Sequence, residues 1–327
     1  MEDVPLIDLS AFREGTPAAR RETARRWGEA FETIGFASIV GHGVHPGLME
    51  EVHAAGMRFF DLPAEAKLRC SFLPEKTGQG YVPQGVEAVA RTHADRAAPA
   101  DLCEALTFYN LEWEWTAPAN PLDRSLFRPN RWPDSPDGFA GLLRRYHTQV
   151  YALGRALMRL SALALELRED YFDPFYDRMA STLRLVHYPD QPAEPLPGQL
   201  RYGAHTDYTG FTILRQDDAP GGLQVLRPGG RWVDVAPVRG AFVINIGDLL
   251  ALWTNDRWKS TVHRVINPPR HLTGSTRRLS IVLFTGPNQD ARIECLPSCA
   301  GPGQPPRYQP VIVREHLMAK IRASMTP

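Results

Sequence analysis

A histidine and an aspartate stand two residues apart in YGAHTDYTGFTIL, the stretch from Tyr202 to Leu214. The rest of the stretch has the apolar character of a β-strand, in which a charged side chain is costly unless something pairs with it. Residues i and i+2 of a strand point to the same face, so His205 and Asp207 can hold one metal ion together. This pair alone is a weak signal, because an edge strand with solvated polar residues has the same pattern.

A third candidate ligand and a candidate carboxylate-binding pair follow further along the chain. His263 lies in STVHRVINPP, 56 residues after Asp207, and RRLSIVLF places Arg278 two residues before Ser280. Two histidines and a carboxylate form the facial triad of non-haem Fe(II) oxygenases, which leaves positions open for a co-substrate and O2. Zinc more often receives a tetrahedral ligand set. An arginine and a serine on one strand face can bind a carboxylate, the arginine with two parallel hydrogen bonds.

The order of these motifs resembles the isopenicillin N synthase-like branch of the Fe(II)/2-oxoglutarate-dependent oxygenases. The resemblance runs over almost the whole chain. The motifs that carry it in the N-terminal part are VPLIDLS, GFASIVGHGV, RFFDLPAEAK and GYVPQG. The motifs that carry it in the catalytic part are LRLVHYPDQ, GAHTDYTGFTILRQD, GGLQVL, WVDVAPVRGAFVINIGDLLALWTNDRWKSTVHRV and RRLSIVLF.

The resemblance implies a fold and a set of site residues. The implied fold is mainly β with α: a double-stranded β-helix, or cupin-like jelly roll, with an N-terminal helical region. The implied Fe(II) ligands are His205, Asp207 and His263. The residues implied to bind the distal carboxylate of 2-oxoglutarate are Arg278, Ser280 and Tyr188. The family often has Asn two residues before that tyrosine, where this chain has Val186, so one polar contact is missing or replaced. Asn245 and Asp248 are expected to support the metal site without binding the ion.

Periodicity in the sequence predicts the elements that position these residues. Apolar residues at helical spacing predict helices over 17–35, 46–63, 135–168 and 313–323. From residue 181 onward, short β-rich runs separated by Gly and Pro are typical of an antiparallel sandwich or barrel, with a hairpin turn at Gly229–Gly230. Residues 77–104 are predicted to form a loop. We divide the chain into an N-terminal helical and strand region (1–120), a long helical connection (121–178) and a catalytic jelly roll with a C-terminal helix (179–327), together one compact unit.

Composition argues against several other classes of protein. The 327 residues carry 37 basic and 37 acidic side chains, which disfavours a nucleic-acid-binding face. No apolar run approaches the roughly 20 residues that span a bilayer, and the start MEDVPLIDLS lacks a signal-peptide pattern. The four cysteines are too few for a disulfide framework, and we interpret Cys295 and Cys299 as free thiols rather than metal ligands. We therefore expect a cytoplasmic protein with a small-molecule substrate, whose oligomeric state stays open.

Three functional hypotheses compete at this stage. The favoured one is an Fe(II)- and 2-oxoglutarate-dependent oxygenase, which hydroxylates, desaturates or cyclises a small molecule and releases succinate and CO2. The second is an oxidase of the isopenicillin N synthase type, in which Arg278 and Ser280 would hold the carboxylate of the substrate itself. The third is an inactive metal- or 2-oxoacid-binding sensor, which the complete His-Asp-His set disfavours. No separate catalytic acid or base is assigned in any of them, since the iron centre carries the chemistry.

The substrate pocket is less well marked than the metal site. Candidate lining residues are Tyr81, Gln84, Thr107, Phe211, Leu223 and Phe284. Phe211 and Phe284 are equally well interpreted as core residues. Arg91 and Arg96 lie in the loop over 84–104 and could meet an anionic substrate, although solvated arginines are the more common outcome.

Overall fold

The computed structural model of the chain describes residues 4–71, 79–92 and 98–325. The helices among these residues are α1 (Ser10–Glu14), α2 (Pro17–Thr33), α3 (Pro46–Phe60), α4 (Ala64–Leu68), α5 (Leu111–Trp115), α6 (Pro121–Leu126), α7 (Phe139–Ala164), α8 (Asp173–Tyr176), α9 (Asp248–Trp253) and α10 (Val313–Met325). The strands are β1 (Leu6–Asp8), β2 (Phe36–Val40), β3 (Gly80–Val82), β4 (Glu104–Tyr109), β5 (Ala180–Tyr188), β6 (Tyr202–His205), β7 (Phe211–Arg215), β8 (Leu223–Leu226), β9 (Trp232–Asp234), β10 (Phe242–Ile246), β11 (His263–Val265), β12 (Arg278–Gly286), β13 (Arg292–Ile293) and β14 (Val311–Ile312).

Two sheets form the walls of the jelly roll. The large sheet has the strand order β1-β2-β10-β7-β12-β5-β4-β3, and the small sheet has the order β6-β11-β8-β9. Apolar side chains of the two sheets pack against each other: Phe36 and Val243 of the large sheet share a buried cluster with Leu223 and Val225 of the small one. The predicted double-stranded β-helix core with added helices is confirmed.

The large sheet buries two different faces. Side chains of a strand alternate between faces; on β12, Leu279, Ile281 and Leu283 belong to the main hydrophobic core, which also contains residues of α2, α3 and α7. Arg278 and Ser280 therefore point the other way, toward the small sheet. We call the helix-packed side the outer face and the side toward the small sheet the inner face.

Strands from the N-terminal region belong to the large sheet as well. β2 pairs with β10, and β4 pairs with β5, in antiparallel register. Backbone hydrogen bonds therefore join residues 1–120 to the catalytic part in one sheet. The division into three segments at 120 and 178 stays a prediction.

Helix ends depart from the predicted ranges where the backbone requires it. The long helix covers Phe139–Ala164 rather than 135–168, because Gly138 precedes it and Glu166 follows it with positive φ angles of 71° and 59°. The helix predicted over 17–35 ends at Thr33, and the N–H groups of Ile34 and Gly35 both reach the carbonyl of Ala30. The predicted hairpin at Gly229–Gly230 is confirmed between β8 and β9.

The expectation of an unstructured loop over 77–104 was wrong in part. The three-residue strand β3 lies within that range and pairs with β4, whose first residue lies there too. Val89–Thr92 forms a 3-10 turn. A run of three residues is too short for periodicity to reveal, so only its pairing with β4 identifies it. Arg96 lies outside the described residues.

Candidate active site

Strand pairing brings the three predicted metal ligands together. His205 ends β6 and His263 begins β11, and the two residues are directly opposite each other in the antiparallel pair. One ligand atom from each of His205, Asp207 and His263 lies within 4.8 Å of the others, and all three residues are buried. The Nε2 atoms of His205 and His263 lie 3.7 and 3.9 Å from the carboxylate of Asp207.

Hydrogen bonds fix the orientation of both imidazoles. Nδ1 of His205 lies 2.9 Å from the carbonyl of Gly203, and Nδ1 of His263 lies 3.1 Å from the carbonyl of Thr261. A carbonyl can only accept, so each Nδ1 carries the proton and each Nε2 offers a lone pair. Metal-binding histidines are commonly oriented in this way by a second group.

Asp207 is held by donors from two neighbouring strands. Thr212 on β7 and Asn245 on β10 both donate to Oδ2, the Asn245 amide at 2.6 Å. Burial opposes ionisation of this carboxyl, but the imidazoles of His263 and His205 and these hydrogen bonds lower its pKa. Asn245 thus supports the cluster through Asp207. The N–H of Asp248 donates to the backbone carbonyl of Asp207 at 2.8 Å. Both positions agree with the supporting role expected for them.

The predicted carboxylate-binding residues lie together on the inner face. Arg278 on β12 is directly opposite Tyr188 on β5, and Ser280 lies two residues further along β12. All three are at least 96% buried. The guanidinium donates to the carbonyls of Asp217 and Ala219 and to the side-chain oxygen of Gln216, all of them neutral acceptors.

One donor of this arginine has no partner. Nε of Arg278 is buried and makes no hydrogen bond. A buried guanidinium with only neutral hydrogen-bond acceptors and one unused N–H group fits the carboxylate of a ligand, which would supply the missing acceptor and a charge-assisted hydrogen bond. The residues present therefore fit the distal carboxylate of 2-oxoglutarate.

A second buried arginine beside this site was missed from the sequence. Arg201 is fully buried, and its guanidinium carbon lies 5.9 Å from the centre of the Tyr188 ring. It donates to backbone carbonyls of Pro220, Gly221 and Thr276. Burial and the charge of Arg278 lower the pKa of Arg201 to about 10. No spacing pattern marks this residue, because its partners come from distant loops.

The predicted pocket residues divide into four groups. Thr107 and Phe284 lie on the inner face, and Phe284 is directly opposite Thr212, the residue that anchors Asp207. Leu223 belongs to the apolar cluster between the sheets. Gln84 is exposed in the turn after β3, and Arg91 is exposed and donates from Nε to the carbonyl of Ala98.

Tyr81 and Phe211 face away from the metal cluster. The prediction of Tyr81 as a pocket residue was wrong, and of the two interpretations of Phe211 the structure supports the core residue. Tyr81 lies 6.1 Å from the ring of Phe59 and donates to Glu104 on the outer face. Phe211 lies against Trp27 and Phe31 of α2 at 5.6 and 5.7 Å between ring centres. Both side chains belong to the main hydrophobic core.

The C-terminal helix lies beside the metal cluster, which the sequence did not indicate. Nε2 of His316 lies 3.2 Å from the carbonyl of Tyr208, the residue after Asp207. Lys320 donates to Asp248 at 2.5 Å, and α10 also contacts the 3-10 turn Val89–Thr92. The helix therefore contacts both the segment after Asp207 and the 3-10 turn Val89–Thr92.

Comparison with known proteins identifies the class that this fold and site define. A model of the 2OG-Fe(II) oxygenase superfamily matches residues 179–287, and a model of the N-terminal region of non-haem dioxygenases in morphine synthesis matches residues 4–135. A 2-oxoglutarate-Fe(II) type oxidoreductase of Emericella nidulans is 34% identical over 98% of this chain and 90% of its own length. A homoarginine-6-hydroxylase of Oryza sativa is 33% identical over 97% of this chain and 96% of its own.

A solved structure gives the same answer for the fold. A full-length Neurospora crassa protein, crystallised in complex with alpha-KG and thymine, superposes with a TM-score of 0.85, at 34% identity, over 98% of this chain and 97% of that one. The chain belongs to the 2OG-Fe(II) oxygenase superfamily. It is a non-haem dioxygenase that uses Fe(II), 2-oxoglutarate and O2. No helix among the described residues combines the length and the apolar character needed to cross a bilayer.

Proposed function

We propose that His205, Asp207 and His263 bind Fe(II) and that Arg278, Ser280 and Tyr188 bind the distal carboxylate of 2-oxoglutarate. The observation that carries this assignment is that two sites, each without a binding partner, lie in the same barrel. One is a buried set of three ligand atoms within 4.8 Å of one another, and the other is a buried guanidinium with an unused donor. Each lacks the partner that the corresponding group would supply.

The residues around the cluster have defined tasks in this assignment. The Gly203 and Thr261 carbonyls accept from Nδ1 of the two imidazoles and so leave each Nε2 facing the cluster, while Thr212 and Asn245 donate to the carboxylate of Asp207. Three protein ligands leave the other side of an octahedral ion open. The chemistry that Fe(II), 2-oxoglutarate and O2 supply when bound is oxidative decarboxylation to succinate and CO2, coupled to oxidation of a substrate C–H bond.

Val186 leaves one position of the co-substrate site apolar. It is buried with Cys103, Ala105 and Tyr188, so it offers no polar side-chain contact where the family often has Asn. We infer that the Arg278 guanidinium, with Ser280 and Tyr188, supplies most of the carboxylate recognition. An oxidase of the isopenicillin N synthase type is the second candidate, because the same arginine could hold a substrate carboxylate.

The substrate is proposed to be a small molecule, but the relatives do not define which one. One relative is named for hydroxylation of homoarginine and another was solved with thymine, two compounds with little chemistry in common. The four free cysteines are compatible with the reducing cytoplasm that we predicted.

An anaerobic titration tests the assignment. The apo protein is loaded with Fe(II), 2-oxoglutarate is added and the visible spectrum is recorded. A weak charge-transfer band is expected, because a chelating 2-oxoacid shares electron density with the metal. Iron binding without a band would favour the oxidase, and failure to bind iron would contradict the metal site.

A further inference from the structure

The inner face carries another charged group, one row of side chains beyond the proposed 2-oxoglutarate site. Arg184 on β5 is directly opposite Val282 on β12, between the rows of Ser280 and Phe284. Alternate residues of a strand are roughly 7 Å apart. Arg184 forms an ion pair with Glu87 of the segment before the 3-10 turn, and 13% and 27% of the two side chains are exposed.

This ion pair lies one row of side chains from the metal cluster in the register of the large sheet. Phe284, the next inner-face residue of β12 after Val282, is directly opposite Thr212, which donates to Asp207. A molecule bound at the pair therefore lies beside the proposed iron site.

Two buried polar atoms near the pair have no partner. They are Nε of Arg184 and Oγ1 of Thr107. Thr107 is 1% exposed and is directly opposite Arg184 in the β4–β5 register, so both side chains lie next to each other on the inner face. A buried donor without an acceptor costs free energy, which a ligand that supplies the acceptor would recover.

The Glu87 backbone is held in place from the metal-bearing strand. Asp101 accepts hydrogen bonds from the N–H groups of Val89 and Gly203, at 2.8 and 2.9 Å. The N–H of Asp101 donates to the carbonyl of Glu87 at 2.8 Å. The backbone of Glu87 is thus connected to β6 through Asp101, and a binding group needs such support.

We propose that Glu87, Arg184 and Thr107 bind the polar edge of the primary substrate, and that this substrate is net neutral with a hydrogen-bond donor beside an acceptor, as in a cyclic amide. This inference rests on the proposed function. Glu87 accepts from the donor of the substrate, while Arg184 Nε and the Thr107 hydroxyl donate to its carbonyl. Because the two protein charges cancel, an anionic substrate would be repelled by the carboxylate of Glu87, and a cationic substrate would be repelled by the guanidinium of Arg184.

The test uses the full chain with Fe(II) and 2-oxoglutarate under anaerobic conditions. The charge-transfer band establishes the metal site before a probe is added. Thymine is the neutral cyclic amide, orotate carries the same kind of ring with a carboxylate, and homoarginine is a cationic amino acid. Thymine is expected to shift the band and to give a calorimetric binding isotherm, and the two charged probes to bind at least about tenfold more weakly.

Three variants connect this binding to the proposed residues. Glu87→Gln, Arg184→Lys and Thr107→Val are each expected to weaken thymine binding at least about tenfold, with the 2-oxoglutarate band unchanged. Arg159→Lys and Glu169→Gln, which change surface ion pairs, are the matched controls. Thr107→Val removes an unpartnered hydroxyl and should be at least as stable as wild type. Its thymine affinity can therefore be measured even if Glu87→Gln or Arg184→Lys does not fold.

The outcomes separate this inference from the function on which it rests. It is overturned if no probe shifts the band of enzyme that binds 2-oxoglutarate, if a charged probe binds as tightly as thymine, or if the three variants bind thymine like wild type. A missing 2-oxoglutarate band contradicts the proposed function itself, and the substrate assignment with it.

Discussion

The outer and inner faces of the large sheet each bury a cluster of polar side chains. The polar atoms of the outer cluster have hydrogen-bond partners, whereas several donors of the inner cluster have none. On the outer face, Glu104 accepts hydrogen bonds from Lys67 at 2.7 Å, from His187 at 2.8 Å and from the hydroxyl of Tyr81. His187 in turn accepts from Arg277 at 3.2 Å. Glu104 is satisfied by side chains of the protein itself, so no ligand is needed to complete its hydrogen bonds.

The inner face shows the opposite pattern. Arg278 and Arg184 each keep a buried Nε without an acceptor, Thr107 adds an unpartnered hydroxyl, and Arg201, which lies before β6 and near the Tyr188 ring, also has an unpartnered Nε. Single unpartnered atoms also occur in the helical core, such as Nε1 of Trp258. Grouping is therefore the informative feature: several unused donors on one concave face beside a metal-ligand cluster indicate binding, whereas a satisfied network indicates stability.

The largest expected effect removes the central carboxylate of the inner face. Asp207→Ala should abolish Fe(II) binding and succinate formation, because two imidazoles alone leave the ion weakly held. Binding is measured by competition with a chelator. Asp234→Ala, which changes an exposed carboxylate at the end of β9, is the control. Normal succinate formation by Asp207→Ala would remove the cluster from consideration as the metal site.

An equivalent change on the outer face should act on stability instead. Glu104→Ala leaves Lys67 buried with its charge unpaired, and both side chains are only 10% exposed. The free energy of unfolding should fall by about 3–5 kcal/mol in urea denaturation, while the charge-transfer titration of the folded variant stays unchanged. Glu169→Ala breaks a more exposed pair and should cost at most about 1 kcal/mol. A lower affinity of Glu104→Ala for 2-oxoglutarate, with an unchanged free energy of unfolding, would mean that the outer face serves binding rather than stability.

Arg278→Ala should have a smaller effect, confined to the co-substrate. Loss of charge-assisted hydrogen bonds worth about 1.5–3 kcal/mol raises the 2-oxoglutarate concentration for half-maximal band intensity by roughly 10- to 100-fold. Fe(II) binding should persist, since the arginine contacts none of the three ligands by hydrogen bond. Arg159→Ala serves as the control. If Arg278→Ala needs the same 2-oxoglutarate concentration as wild type for half-maximal band intensity, the co-substrate carboxylate binds elsewhere.

The two faces also explain how far the site could be predicted from the sequence. His205, Asp207, Arg278 and Ser280 come in i, i+2 pairs, and His263 was a candidate third ligand from another strand before the resemblance implied the complete set. Strand alternation predicted a shared face for each pair. This explanation holds for Arg278 and Ser280 on β12, whereas Asp207 lies after the end of β6 and is held by Thr212 and Asn245. The structure brings the three metal-ligand candidates together as expected.

The features that could not be predicted depend on register across strands. Arg184 and Glu87 are 97 residues apart, and no local pattern connects them. Phe211 was open to interpretation as a pocket or a core residue, because residues 206–210 separate β6 from β7 and the alternation of β6 does not carry over. Tyr81 lies on a strand of three residues, too short to show which side chains share a face.

The smallest effect concerns Asp217, which contacts both faces. Its carboxylate accepts from His53 of α3 at 2.9 Å and from the N–H of Leu279 at 3.2 Å, while its carbonyl accepts from Arg278 at 2.6 Å. Burial raises the pKa of this carboxyl, but the bond and charge of His53 outweigh that effect and bring it to about 2, below the usual 3.8.

The sign of the pH dependence follows from this lowered pKa. Because the folded state holds Asp217 ionised more firmly than the unfolded chain does, the resulting stability is present above about pH 4 and is lost as the pH falls toward 2. Asp217→Asn should therefore cost about 2 kcal/mol of unfolding free energy at neutral pH, with the difference from wild type shrinking below about pH 4 in urea denaturation. Asp61→Asn, in a pair whose carboxylate is 55% exposed, should show little change with pH. A difference that stays constant from about pH 7 to about pH 3 would mean that Asp217 joins the two faces by packing and neutral hydrogen bonds rather than by its charge.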